Sequence, residues 1–152
     1  MRERCGVSMG VKRLRACIET LAARLQPLRQ TNQVDRLLEL LLAATKSSGN
    51  RKPVLCVGRD GITLRHRAGF FEVATAATVS VYDRAGKRLS TIYLAYPPEL
   101  GQQTMDGMLT SLLNELLIRW QGPLPRLAYV TDSGSNETVY FRRVMRGKWF
   151  TL

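Results

Sequence analysis

The hydrophobic positions of the first fifty residues recur at the spacing of amphipathic helices. Six apolar side chains step by three and four residues and so share one helix face: Val11, Leu14, Ile18, Leu21, Leu25 and Leu28. Pro27 predicts an end or kink of this helix near Leu25. A second helix is predicted to follow, with Asn32 as its N-cap and an apolar face from Val34 to Leu42. These helices form either a hairpin that packs on its neighbour, which we favour, or a DNA-binding arm.

From residue 51 the hydrophobic period changes from that of helices to that of strands. Residues 54–64 are strand-like, residues 71–82 alternate between apolar and polar, and residues 89–96 are rich in Thr, Ile and Tyr. Turn residues separate the last two strands. We therefore expect a three-strand antiparallel meander that ends at Pro97 and Pro98, since proline cannot donate to a ladder.

The remaining pattern predicts a helix over 101–122, a strand over 127–131 and a short basic helix over 137–146. Residues 149–152 are predicted to begin another strand. The order is βββαβα, an α/β (α+β) arrangement in which a right-handed crossover lays the last strand parallel to an earlier one. We divide the chain into an N-terminal helical region, 1–50, and a mixed-sheet core, 51–152.

Two acids follow apolar runs: Asp60 comes after residues 54–57, and Asp132 comes after residues 127–131. If the two strands are neighbours, the acids lie about 4.8 Å apart. Two carboxylates so close repel each other unless a cation lies between them, and oxygen ligands of this kind suit Mg²⁺ or Mn²⁺. Each acid has an alternative role that does not involve metal. Asp60-Gly61 is typical of a type I′ hairpin turn, and Asp132 is typical of an Asx turn that caps a helix.

Charge favours a polyanionic partner. The chain has 23 Lys and Arg against 12 Asp and Glu, a net charge of +11. DNA is the expected partner, although a basic, solvated surface is the alternative. The candidate phosphate contacts near the two acids are Arg59, Arg65, Arg142, Arg143 and Arg146.

Location is predicted from what the sequence lacks. No apolar run approaches the roughly 18 residues of a membrane span, so we expect no membrane contact. Three cysteines without metal-ligand spacing predict reduced thiols in a cytoplasmic, nucleoid-associated protein.

Four segments together resemble the catalytic domain of DDE-type bacterial transposases, which have the ribonuclease H-like fold. They are VGRDG, TVSVYDRAGKRLSTIYLAYPPE, QTMDGMLTSLLNELLIRW and PRLAYVTDSGSNETVYFRRVMR, and the resemblance covers roughly residues 53–146. In that family the first Asp lies on the first strand and the second at or just after the fourth, which correspond to Asp60 and Asp132. The resemblance implies metal-dependent cleavage and joining of DNA strands.

The chain departs from this family at the third acid, a Glu on a helix well downstream of the second Asp. Only Glu137 follows Asp132, and five residues cannot contain the missing strand and helix. The sequence therefore resembles a truncated transposase, a polynucleotidyl transferase only if a third acid completes it. Two alternatives stay open: a non-catalytic nucleic-acid-binding module, and a small interaction protein that forms homo-oligomers through its N-terminal helices.

Overall fold

The computed structural model describes residues 10–67, 69–132 and 134–146, apart from the side chains of residues 26, 27, 66 and 67. The chain forms two compact units, residues 1–33 and 34–152. The division differs from the boundary predicted at residue 50. The reason is that Val34, Leu37 and Leu41 are fully buried and belong to the core of the second unit.

The first helix, α1, is one continuous element, Val11–Lys46. The prediction of two helices is wrong, because Pro27 removes only one backbone donor and the neighbouring turns keep theirs. Asn32 lies inside the helix and is not an N-cap. The predicted hairpin is also absent from the described residues, and the stripe from Val11 to Leu28 is between 50 and 76% exposed in this chain.

A four-stranded sheet follows, with strands β1 (Val54–Arg67), β2 (Phe70–Tyr82), β3 (Arg88–Glu99) and β4 (Arg126–Val130). Its order is β3-β2-β1-β4. The first three strands pair antiparallel, which confirms the predicted meander. Strand β4 pairs parallel with β1, so the predicted crossover back to the first strand is confirmed. Strand β3 continues through Pro97 and Pro98, which an edge strand tolerates because one side of its backbone has no partner strand.

Helix α2 (Gln103–Arg119) connects β3 to β4, and helix α3 (Ser135–Tyr140) follows β4 and continues as a π-helical turn, Phe141–Met145. Both predicted helices are therefore present, with shifted ends. The carboxylate of Glu99 accepts hydrogen bonds from the backbone N–H and the hydroxyl of Thr104, which ties the start of α2 to the end of β3. The strand predicted over 149–152 lies outside the described residues.

The core lies on one face of the sheet. Alternate residues of β1 and β2 point to it, with Leu55, Val57 and Val79 fully buried. The second part of α1, helix α2 and the segment from Tyr140 to Met145 cover this face. The opposite face carries small and polar side chains and is open over Asp60, Ala76 and Tyr93. Each strand therefore presents successive side chains to two different environments.

Candidate acidic site and the buried arginine cluster

Asp60 lies on β1, and Asp132 lies in the loop that follows its parallel neighbour β4. The β1–β4 ladder ends where Gly58 pairs with Val130, and each acid lies two residues further along its chain. Asp60 also pairs with Ala76 in the middle of the β1–β2 ladder. The hairpin-turn alternative for Asp60 is therefore wrong, since the turn between β1 and β2 comes after Arg67.

Both acids are exposed, and each uses one carboxylate oxygen locally. Oδ1 of Asp60 accepts a hydrogen bond of 2.8 Å from the backbone N–H of Gly61. Oδ1 of Asp132 accepts one of 2.9 Å from the N–H of Gly134, an i to i+2 bond that confirms the Asx turn. Helix α3 has no side-chain cap among the described residues, so the predicted capping role of Asp132 is not observed. The second oxygen of each acid has no hydrogen bond within the described part of the chain.

The two acids do not by themselves form a multi-ligand metal centre. Among the residues that the structure describes, no group of three or more His, Cys, Asp and Glu side chains is placed to hold an ion. A site at Asp60 and Asp132 would thus rest on two carboxylates.

Arg59 points to the opposite side of the sheet from Asp60, because successive strand residues alternate. Its side chain is fully buried on the helix-covered face. The prediction that Arg59 contacts nucleic acid does not fit this placement, since a phosphate cannot reach the guanidinium. Arg65, Arg142, Arg143 and Arg146 are exposed, as that prediction requires.

The guanidinium of Arg59 is held by side chains from α2 and the end of the chain. Its Nη2 donates to Oε1 of Gln102 and lies 2.5 Å from Oδ1 of Asp106. The ring of Tyr140 lies beneath it, with the guanidinium carbon 4.8 Å from the ring centre. Its Nε and Nη1 have no hydrogen-bond partner among the described residues. Arg59 is therefore a buried cation that is paired on one side only.

Glu137 is the buried acid of this cluster. It is 5% exposed and lies in the first turn of α3. A Cβ built on Gly61 would lie 2.5 Å from Nε2 of Gln102 and 3.4 Å from Oε1 of Glu137. A Cβ built on Gly134 would contact Oε2 of Glu137 and lie 3.2 Å from Oδ1 of Asp132. Glu137 thus lies between β1 and the loop after β4, and both glycines leave room for it.

Burial and charge change the acidity of this cluster. Burial raises the pKa of Asp106, the Arg59 guanidinium opposes that rise, and Glu137 and Glu99 reinforce it. Burial also raises the pKa of Tyr129 to about 12, and the hydroxyl of Tyr129 donates to the backbone carbonyl of Glu137. Asp106, Glu137 and Glu99 therefore share one electrostatic environment, with Arg59 as its buried cation.

Sequence reasoning did not find this second cluster. It rejected Glu137 because the family's third acid lies further downstream, and it gave no role to Asp106 or Gln102. One signal was present: Glu137 and Tyr140 are three residues apart and so share one face of a short helix. No pattern in the sequence relates Arg59 to Asp106, which is 47 positions away and meets it only through the packing of α2 on the sheet.

Comparison of the chain with protein-family models, curated proteins and solved structures gave no match. A search of the described helices found none that combines the length and the apolar character needed to cross a membrane.

Proposed function

We propose that this chain is a DNA-binding domain of the ribonuclease H-like transposase type, in which Asp60 and Asp132 mark the position of metal-dependent strand cleavage and joining. One observation carries the proposal: β4 lies parallel beside β1, and each acid stands two residues beyond the last paired position. The net charge of +11 supports DNA as the partner.

The chemistry of the two acids is compatible with Mg²⁺ or Mn²⁺. Both are exposed, and the second oxygen of each carboxylate has no hydrogen bond within the described residues, so it is available to a hard cation. The ion would supply activation of a water or a 3′-hydroxyl and stabilisation of the leaving oxygen at a phosphodiester. The role of Asp60 and Asp132 is to bind that ion; the exposed Arg65, Arg142, Arg143 and Arg146 would hold the phosphate backbone.

The second candidate function is DNA binding without catalysis. The placement of the acids around Arg59 favours it. Asp106, in the first turn of α2, forms an ion pair with this buried guanidinium. Glu137 is also buried, and among the acids of the cluster it lies nearest to Asp132. Asp106 is therefore held by Arg59 in this arrangement, and Glu137 is withdrawn from solvent. We therefore expect the isolated chain to bind DNA weakly and not to cleave it.

The test compares the purified chain with Asp60→Asn and Asp132→Asn, and uses Glu39→Gln as a control for the loss of one exposed carboxylate on α1. Mn²⁺ binding is measured by titration calorimetry, and DNA affinity by fluorescence anisotropy. Each aspartate variant should weaken Mn²⁺ binding at least tenfold, whereas Glu39→Gln should not. Both aspartate variants should keep their affinity for DNA.

Nicking of supercoiled plasmid in Mg²⁺ or Mn²⁺ is the third measurement. The wild-type chain should leave the plasmid intact. Mn²⁺ affinity that is equal in all four proteins would refute the metal role of the two acids. Metal-dependent cleavage by wild type that Asp60→Asn abolishes would show instead that two acids suffice and that the non-catalytic candidate is wrong.

A further inference from the structure

Basic side chains gather at the end of the sheet opposite to the two acids. The pairs Val54–Tyr82, Val54–Arg126 and Tyr82–Arg88 place the starts of β1, β3 and β4 beside the end of β2. Six cationic residues lie at or next to these strand ends, and we call them the basic end: Arg51, Lys52, Arg84, Lys87, Arg88 and Arg126. Among the described residues of these strand ends and their turn, Asp83 is the one acid.

Asp83 is committed to the turn between β2 and β3. Its Oδ1 accepts hydrogen bonds from the backbone N–H of Ala85, at 2.9 Å, and of Lys87, at 2.8 Å. The carboxylate is therefore hydrogen-bonded to the backbone of the turn. The cationic residues around it outnumber this single acid. A concentration of one charge sign at one end of a sheet attracts a ligand of the opposite sign.

The loop that carries Arg51 is fixed to this turn. Oγ of Ser47 accepts a hydrogen bond of 3.0 Å from the N–H of Arg84, and the N–H of Arg51 donates to the carbonyl of Arg84 at 3.3 Å. Gly49 has φ of 126° and lies so close to the turn that a Cβ would stand 2.7 Å from the backbone N of Ala85. The backbone thus holds Arg51 and Arg84 together before any ligand binds.

A pocket of about 350 Å³ opens at the basic end. Its lining includes the cations Arg51, Lys52 and Arg126, the acid Asp83, and the apolar Val54, Cys56 and Ala128. Each of the three cations is exposed, so a ligand from solvent can reach it. Cationic side chains above an apolar floor suit a phosphate group that carries an organic substituent.

We propose that the basic end is a second nucleic-acid contact, which binds the phosphate backbone of a duplex in this pocket. The six residue steps from Val54 to Asp60 along β1 correspond to about 20 Å, or roughly six base pairs of DNA. One duplex that lies along the open face of the sheet reaches both the acids and the pocket. The inference rests on the proposed function in one respect, namely that the polyanion is DNA.

The experiment measures binding of a 20-base-pair duplex by fluorescence anisotropy at several salt concentrations. The test variant is Arg51→Gln/Lys52→Gln/Arg126→Gln. The control, Lys12→Gln/Arg13→Gln/Arg15→Gln, removes the same charge from exposed positions of α1. A third variant, Arg65→Gln/Arg142→Gln/Arg143→Gln, tests the arginines near the acids. Circular dichroism and thermal melting verify that each protein is folded.

The basic-end variant should bind about 100-fold more weakly at 0.1 M salt. The slope of the logarithm of the binding constant against the logarithm of the salt concentration should become shallower by about 3, which is one for each phosphate that the protein no longer neutralises. The control should lose less than tenfold. Equal losses in these two variants would overturn the inference and leave the proposed function intact. Absence of DNA binding by wild type would overturn both. Tighter binding to phosphatidylserine vesicles than to the duplex, abolished in the basic-end variant, would overturn nucleic acid as the occupant.

Discussion

Arg59 is a charged side chain on the buried face of the sheet, and at the residue scale it organises its surroundings. A guanidinium removed from water needs acceptors and counter-charges. Gln102 and Asp106 supply them at the start of α2, and Tyr140 supplies an aromatic face from α3. One cation therefore joins β1, α2 and α3.

Arg59→Met should lower the free energy of unfolding by about 2 kcal/mol at neutral pH. The value is below the roughly 3–5 kcal/mol lost when a fully buried pair is broken, because Asp106 remains partly exposed. The control is Arg36→Met, which breaks the exposed Arg36–Glu39 pair and should change stability by about 0.5 kcal/mol at most. Urea unfolding measures both. Equal stability of the two variants would show that the Arg59 cluster is not stabilising.

Asp106 gives the stability of the fold a defined pH dependence. Because burial raises its pKa above the ordinary value of 3.8, the folded protein holds this proton more tightly than the unfolded chain. The stability that results is present below pH 3.8 and is lost as pH rises through the raised pKa. The free energy of unfolding of the wild type minus that of the Asp106→Asn variant should therefore decrease as the pH is raised from 4 to 7. A difference that increases with pH, measured by urea unfolding, would refute this assignment.

At the scale of elements, the first part of α1 presents an apolar stripe that the described residues of this chain leave exposed. Its spacing of three and four is that of positions a and d in a coiled coil, with Leu14, Leu21 and Leu28 at d. Self-association through this helix remains a prediction. In a parallel pair, Arg24 of one copy would face Arg29 of the other, and these like charges oppose association.

We therefore expect association of the chain to strengthen between 0.1 and 0.5 M salt, because salt screens this repulsion. Leu21→Lys should abolish it. Leu42→Lys places the same charge at an exposed leucine of the second unit and should not. Sedimentation velocity over a range of protein concentrations measures the effect. A chain that stays monomeric at every concentration, or that associates more weakly in high salt, would contradict this prediction.

At the scale of the whole molecule, the sheet unit has two chemically different ends. Asp60 lies on β1 and Asp132 just after its parallel neighbour β4, whereas the basic end surrounds the pocket where these two strands begin. Under the proposed function, this separation would give an anionic duplex a preferred direction along the sheet, since phosphate would contact the cations at one end and the metal ion at the other.

Among the described residues after α1, the sequence by itself determined the type and order of the strands and of helices α2 and α3. An apolar run identified β1, alternation identified β2, the content of Thr, Ile and Tyr identified β3, and the spacing of three and four identified α2, because local pattern reflects which side chains must be buried together. The crossover rule correctly placed β4 parallel to an earlier strand. The prediction that Pro27 would divide α1 was wrong, since one missing donor does not decide where a helix ends.

Only the tertiary structure decided which face of the sheet was covered, and with it the roles of adjacent residues. Alternation separates Arg59 from Asp60, but it does not say which of the two meets α2. That choice made Arg59 a buried cation and Asp60 an exposed acid. It also brought Asp106 and Glu137 to the same cluster from distant positions, since packing between elements, and not the local period, sets long-range contacts.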